Sequence, residues 1–392
     1  MDDSLADNIA QSCIDLYMEL PKTGKPVEHE WTILSCIVQV EIERGSHRVV
    51  SLGTGSKCVG ATRMSGAGNV LNDSHAEVIA RRCFLVYLYQ NIENLLSNRD
   101  SIFILEENRF KLRPGIEFIL YSSQLPCGDA SIIPKTIDDE YGDLIKSKKR
   151  LADDGVCDLE SKKLKIDVAD DVHRTGAKCL PRAEQDPKKP GMNYHIVGQV
   201  RTKPGRGDVT LSVSCSDKLA RWIRVGVQGA LLDMLLAEPI YIKHFIFGAN
   251  TPYSTEALER ALLTRNRSYT LPETVPSFQQ CSVVFPSIKN ESNTRPAAAS
   301  TIWVRINDHG VSAYLCISKY KLYERFINIL KMNNELKMSI CGDCILDVIP
   351  YNVMKNKSMR YQLKWKDVKE NFFKLWTQKP DLWDFCCSSN KW

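Results

Sequence analysis

Residues 71–96 read Leu-Asn-Asp-Ser-His-Ala-Glu-Val-Ile-Ala-Arg-Arg-Cys-Phe-Leu-Val-Tyr-Leu-Tyr-Gln-Asn-Ile-Glu-Asn-Leu-Leu. From about Ser74 onward the apolar positions Val78, Ile79, Cys83, Phe84, Val86, Tyr87 and Leu88 form a broad face, so the spacing predicts a helix over 74–96. Its first turn carries His75 and Glu77, an H-x-E pair where a helix presents its free N–H groups. Upstream, Trp31–Glu43 is dense in β-branched and apolar residues and predicts a strand. A second strand over 48–52 runs into the turn Gly53-Thr54-Gly55. Downstream, Glu117–Ser123 reads as a buried strand ending at Pro126-Cys127-Gly128, and Ser216–Leu236 as a helix opened by a Ser-Asp cap. Further strands are expected at 240–247, 281–285, 301–306 and 311–317, with helices at 5–20, 255–263, 319–332 and 359–376. Strands alternating with helices place the fold in the α/β class.

Composition narrows the function only a little. The chain has 392 residues, 43% apolar and 25% charged, enough for one large domain or two. A formal net charge of +5 gives no global basic field, so any polyanion site must come from local clustering. The acidic start, Met1 to Leu20, lacks the pattern of a secretory signal, and no apolar run is long enough to span a bilayer. The 14 cysteines are therefore expected to be reduced thiols of a cytoplasmic or nuclear protein, most of them packing residues. Residues 141–192 alternate Lys-rich and Asp-rich patches with few apolar positions, which predicts a solvated, mostly disordered insertion. Within it, Lys146 to Arg150 reads as a solvated charge run or as a nuclear-import signal.

The chemistry-bearing residues fall at strand-to-helix junctions. An H-x-E pair followed by Pro-Cys is the pattern of zinc deaminases, in which His is a ligand and Glu moves protons between the attacking water and the base. The residue three after Cys127 is Ala130, so the usual short Cys pair is missing. Cys215 can replace it: it follows Val209 to Ser214 and opens a helix, where the dipole favours the thiolate a metal requires. His75, Cys127 and Cys215 then leave one tetrahedral position open, as a catalytic zinc needs.

His75-Ala-Glu77, Pro126-Cys-Gly-Asp129 and Ser214-Cys-Ser-Asp-Lys218 through Gly229 together resemble the deaminase domain shared by RNA-editing and tRNA adenosine deaminases. The resemblance covers about 31–385. It implies a cytidine-deaminase-like mixed sheet with surrounding helices, enlarged by a C-terminal part that encloses a buried polyphosphate. The domain expected is 31–392, interrupted at 141–192 and preceded by a short helical segment, 1–30.

Three stretches are closer to the tRNA-acting branch: Cys127 to Pro134, the short loop Lys203-Pro-Gly-Arg-Gly-Asp208, and Ile240 to Gly248 with Pro252 to Glu256. No double-stranded-RNA-binding module fits ahead of the first strand. That branch converts adenosine-37, beside the anticodon of alanine tRNA, to inosine. The alternatives are an editor of double-stranded RNA and a non-catalytic zinc protein that binds RNA. By resemblance His75, Cys127 and Cys215 hold zinc, and Glu77 is the proton shuttle.

The resemblance also implies inositol hexakisphosphate, held by Asn72, Val78, Arg81, Arg82, Lys218, Arg221, Trp222, Tyr351, Lys355, Tyr361, Trp376, Lys379 and Asp384. Physical logic points the same way, because Lys218 and Arg221 share a helix face and buried cations need an answering charge. Trp365 departs from the family pattern by standing where a phosphate-binding lysine is expected. Candidate RNA contacts are Arg201, Lys203 and Arg206 in the basic loop, with Thr54 and Lys57 beside the first glycine turn. A tRNA substrate is the one partner expected. No protein partner is readable.

Overall fold

The computed structural model describes residues 1–136, 171–205, 207–306, 309–311, 316–378 and 384–389. Arg206, Lys379 and the run Lys146 to Arg150 lie outside them. Seven strands form the central sheet: β1 (Leu34–Glu41), β2 (Ser46–Thr54), β3 (Ile116–Ser122), β4 (Ile242–Phe247), β5 (Ser277–Gln280), β6 (Ile302–Ile306) and β7 (His309–Val311), in the order β5-β4-β3-β1-β2-β6-β7. β3, β4 and β5 run parallel, and the remaining neighbours pair antiparallel. The sheet is therefore mixed, as the resemblance implied.

Side-chain alternation assigns its two faces. On β3, Phe118 and Leu120 point to one side and Ile119 and Tyr121 to the other. On β4, Phe245 and Phe247 oppose Ile246. Such period-two patterning on strands buried from both sides needs a helical layer on each. One layer is the N-terminal helix α1 (Asp3–Glu19), which lays Ala6, Ile9, Ala10, Cys13, Ile14 and Tyr17 on Leu34, Cys36, Val38 and Trp303. The other is built on α2 (Ala76–Leu96), which lies across the sheet with Ile79, Cys83, Phe84 and Val86 against Ile37, Val50 and Val304.

The remaining helices pack around α2. They are α3 (Cys215–Val225), α4 (Gly229–Leu235), α5 (Thr255–Leu262), α6 (Lys319–Met332), α7 (Asn334–Cys341), α8 (Tyr351–Asn356) and α9 (Met359–Asp367). The helix expected over 216–236 is two helices. Gly226, at φ 86°, turns the chain between them, and its N–H still bonds the Trp222 carbonyl. The cap of α3 is Ser214, whose side chain accepts from the Asp217 N–H.

The insertion differs from expectation at its C-terminal end. Residues 137–170 lie outside the description, but 171–180 carry buried positions, while 181–192 are mostly exposed and are anchored at Asp186. Val172, Ala177 and Leu180 are buried, and Lys178–Cys179 pairs with Arg201–Thr202 as a two-stranded ribbon. What holds this apolar-poor segment is polar. Arg201, with no exposed surface, grips Asp186 through two 2.7 Å bonds, and His195 adds a third at 2.9 Å. Buried bidentate pairing of this kind substitutes geometry for hydrophobic area.

Candidate active site and its metal centre

Two close approaches set His75 in place. A side chain at Gly53 on β2 would bring its first carbon within 2.6 Å of Ile79, so glycine lets α2 lie directly on the sheet. The Ala76 N–H then bonds the Gly55 carbonyl at 2.9 Å, fixing the start of α2 to the end of β2. Cys127 follows β3 after a short loop. Gly128 adopts φ 110°, and a β-carbon there would overlap the Ser214 side chain. That contact brings the Cys127 loop against the start of α3. Ser216 tightens it, donating its N–H to the Cys127 carbonyl at 3.0 Å and its hydroxyl to the same oxygen at 2.9 Å.

The three predicted ligands meet. His75 Nδ1 lies 3.8 Å from Cys127 Sγ and 3.6 Å from Cys215 Sγ, and all three donor atoms fall within 4.8 Å of one another. An imidazole nitrogen and a thiolate sulfur on one tetrahedral zinc are separated by about 3.6 Å, so the donor set fits that ion in type and spacing. Among the described residues this is the one such group, and no fourth His or Cys closes it. All described cysteines are free thiols, as expected.

Glu77 sits one position inside α2, 2% exposed, with Oε2 lacking any hydrogen-bond partner among the described residues. Burial pushes its carboxyl above the ordinary range, only partly offset by His75. An orphaned, easily protonated carboxyl beside a metal donor set has the properties of a proton carrier rather than of a ligand.

Lys203 corrects the sequence reading. It was expected on an RNA-facing loop, but its side chain has no exposed surface. Its ammonium donates to Cys215 Sγ at 3.1 Å and to Asp73 at 2.8 and 3.0 Å. Lys218 pairs with the same Asp73 carboxylate. Burial opposes a charge on Lys203, yet Asp73 and the two thiols hold it protonated well above its usual range. Burial would likewise raise Asp73, but Lys203 and Lys218 reverse this and keep it ionised. Lys218, Asp73 and Lys203 thus form a chain of charges that ends on a metal ligand. Asp73 was missed in the sequence, although it stands two residues before His75. Arg201 is also corrected, since its guanidinium is spent on Asp186.

Of the other pocket candidates, Thr54 is buried and its hydroxyl accepts from the Thr301 N–H at 2.6 Å. Lys57 is exposed, on a short strand that pairs Ser56 with His75 and Lys57 with Ser74. It therefore stands at the rim of the site.

A second cluster lies behind the metal donors. Arg81 and Arg82 on α2, Arg221 on α3, and Tyr351, Lys355 and Tyr361 on α8 and α9 come close enough to shift one another. Burial, reinforced by Arg221, lowers Lys355 to about 8, and burial lowers Arg81 to about 10. Arg81 donates to the Val227 carbonyl and Arg82 to the Ile317 carbonyl. Arg221 donates to the Tyr361 hydroxyl at 2.9 Å and stacks 3.8 Å over Trp365. Trp222 lies under Arg81, 5.1 Å away. Among the described residues no carboxylate forms an ion pair with Arg81, Arg82, Arg221 or Lys355. Both amide atoms of buried Asn72, and Nε of Arg221, also lack partners there. Val78 is half-buried, and Trp376 packs edge-on against Trp365 at 4.9 Å. Asp384 is exposed, which separates it from the enclosed set.

Residues 51–380 match the adenosine-deaminase (editase) domain family. The chain is 36% identical to tRNA-specific adenosine deaminase 1 of Drosophila melanogaster, over 98% of this chain and 97% of that protein. It is 31% identical to tRNA-specific adenosine deaminase 1 of Homo sapiens, over 96% and 98%. The double-stranded RNA-specific editase Adar of Drosophila melanogaster is 32% identical over 62% of this chain but 33% of its own length. With His75, Cys127, Cys215 and Glu77 gathered at one buried point, the chain belongs to the adenosine-deaminase (editase) family and is a hydrolytic deaminase.

Proposed function

We propose that the protein converts adenosine to inosine in tRNA, at adenosine-37 beside the anticodon of alanine tRNA. The observation that carries the chemistry is the convergence of one imidazole, two thiols and an unpartnered carboxyl. The substrate rests on near-full-length similarity to proteins named as tRNA-specific deaminases, against one-third coverage of the editase.

His75, Cys127 and Cys215 would hold zinc, which when bound supplies the Lewis acidity that makes water a nucleophile near neutral pH. Glu77 takes a proton from the attacking water and passes it to the ring nitrogen. It then takes the remaining proton from the oxygen newly bonded to C6 and delivers it to the amine as the C–N bond breaks, so adenosine and water give inosine and ammonia. Lys203 donates to the Cys215 sulfur, which draws electron density from that ligand and fixes its orientation. A loop base suits the site, because extruding a base from a duplex costs a few kcal/mol more. With Lys203 and Arg201 buried, RNA phosphates are left to exposed cations. They include Lys57 at the rim, and Lys178, Arg182, Lys188 and Lys189 on the C-terminal end of the insertion.

The same reading includes inositol hexakisphosphate in the second cluster. Arg81, Arg82, Arg221 and Lys355 would meet its phosphates, with Asn72, Tyr351 and Tyr361 around them. Four half-buried cations without carboxylates among the described residues are what a polyanion would satisfy. Acid extraction of the purified protein, followed by mass spectrometry, should release one equivalent.

Incubation with alanine tRNA, other tRNAs and a long duplex, with inosine read by sequencing, tests the substrate. Inosine confined to the base 3′ of the anticodon is the expected result, and inosine in the duplex alone overturns it. Glu77→Ala should lower deamination at least about 10³-fold with one zinc still bound, as measured by metal analysis. Retained activity removes Glu77 from its role.

A further inference from the structure

The catalytic site occupies the first turn of α2. The last two turns border an unassigned cleft of about 290 Å³. Counting 1.5 Å per residue from Glu77 to Asn91, the two sites are separated by about 21 Å along the helix. Arg48 on β2, Arg305 on β6 and Arg99 beyond the end of α2 face into the cleft, with the carboxamides of Gln90, Asn91 and Asn94. β2 and β6 are hydrogen-bonded neighbours, and both Arg48 and Arg305 line the cleft.

The charges do not balance. Among the described residues none of the three arginines forms an ion pair. Arg48 makes only two long contacts, 3.4 Å to Gln39 and 3.4 Å to the Tyr87 hydroxyl, and its Nε is buried without a partner. Arg305 donates Nε to the Val49 carbonyl. The single carboxylate in the lining, Asp100, is taken by Arg113 at 2.6 Å. The adjoining cleft on the far side of Arg48 is different: it holds Glu41 and Glu43 with Arg44 and Arg113, and is close to neutral.

The C-terminal end of α2 attracts cations, and a helix terminus carries about half a charge. Three guanidinium groups exceed that by a wide margin. They supply forked N–H donors that match phosphate oxygens, the carboxamides can add donors of their own, and a phosphate or pyrophosphate brings more acceptor oxygens and charge than a small dicarboxylate.

We propose that the cleft formed by Arg48, Arg99 and Arg305 with Gln90 and Asn94 is a phosphate-binding site, separate from the catalytic centre and from the buried cation cluster. The phosphate comes either from a small phosphorylated molecule or from a backbone position of the RNA substrate lying about 20 Å from the reacting base. The RNA source rests on the tRNA reading, whereas the site itself does not.

Calorimetric titration of the purified full-length protein with pyrophosphate tests it, with malonate as a carboxylate control. Wild type should bind pyrophosphate at least tenfold more tightly than malonate. Arg48→Gln with Arg305→Gln should lose at least tenfold in pyrophosphate affinity. Arg99→Gln with Arg305→Gln provides a second variant that leaves the half-buried Arg48 in place. Both should retain the wild-type melting temperature within a few degrees. A parallel loss of tRNA affinity in the variants, with a shallower salt dependence, assigns the phosphate to RNA. Unchanged tRNA affinity assigns it to a small molecule. Equal pyrophosphate binding by wild type and both variants, or no binding by wild type, overturns the proposal. If wild type binds pyrophosphate through these arginines but makes no inosine in tRNA, the substrate reading fails and the site stands.

Discussion

Two groups of cations, the first with largely buried side chains and the second half-buried, lie near the catalytic residues, and they are neutralised in different ways. In the first, each cation has a carboxylate: Arg201 has Asp186, Lys203 and Lys218 share Asp73, and Arg265 has Asp217. In the second, Arg81, Arg82 and Arg221 meet carbonyls, a hydroxyl and aromatic faces, and Lys355 has no carboxylate in an ion pair with it among the described residues. The first group has its charges answered by carboxylates of the same chain. In the second, burial lowers the pKa of Arg81, Arg82 and Lys355, and under the proposed function an added anion would answer these charges. Under the proposed function, one half of the site is answered by its own side chains and the other would need a ligand.

The largest effect should come from breaking a complete pair. Arg201→Met leaves Asp186 charged and buried, and should cost about 3–5 kcal/mol in denaturant unfolding. A loss below about 1 kcal/mol would mean that the 171–192 segment does not depend on this pair. Next, Lys203→Met removes the donor to Cys215 and one of the two cations on Asp73. Zinc affinity in a chelator competition should fall about 10–100-fold. Unchanged affinity would reduce Lys203 to a packing residue.

A smaller effect distinguishes the second group. Lys355 titrates at about 8 in the folded chain, below the ordinary value of about 10.4. Between those two values the unfolded chain binds more protons, so ligand-free protein should gain stability as pH rises through this window. The penalty is fully present below about 8 and fully relieved above about 10.4. Added polyphosphate should flatten or reverse the slope, and Lys355→Met should remove this residue's share of it. A slope insensitive to both would break the contrast between the two groups. The smallest effect is at Trp365, where Trp365→Leu should lose about 0.5–2 kcal/mol of cation–π stabilisation over Arg221.

The sequence made the metal donors and Glu77 legible because each lies at a junction whose local residues announce it: a histidine entering a helix, a cysteine closing a strand, a cysteine opening a helix. Lys203 was misread for the opposite reason. Its neighbours Pro204, Gly205, Arg206 and Gly207 describe a surface turn, and nothing local reveals that Asp73, 130 residues away, draws the side chain inward. The 171–192 segment was misread because hydrophobic content is a poor guide where a single Asp–Arg–His constellation supplies the anchor. The division at Gly226 was a matter of backbone conformation, and the apolar spacing on either side gave no sign of it.

The spacing of the metal donors along the chain bears on how the protein is made. His75 and Cys215 are 140 residues apart. At about 5–20 residues per second, a ribosome emits the last donor about 7–28 s after the first. During that interval the nascent chain offers an imidazole and one thiol, a weaker and less selective trap. Insertion of a metal held by all three donors would thus be a late event in biogenesis, and the arginines and tyrosines of the second cluster are completed later still, when α8 and α9 emerge.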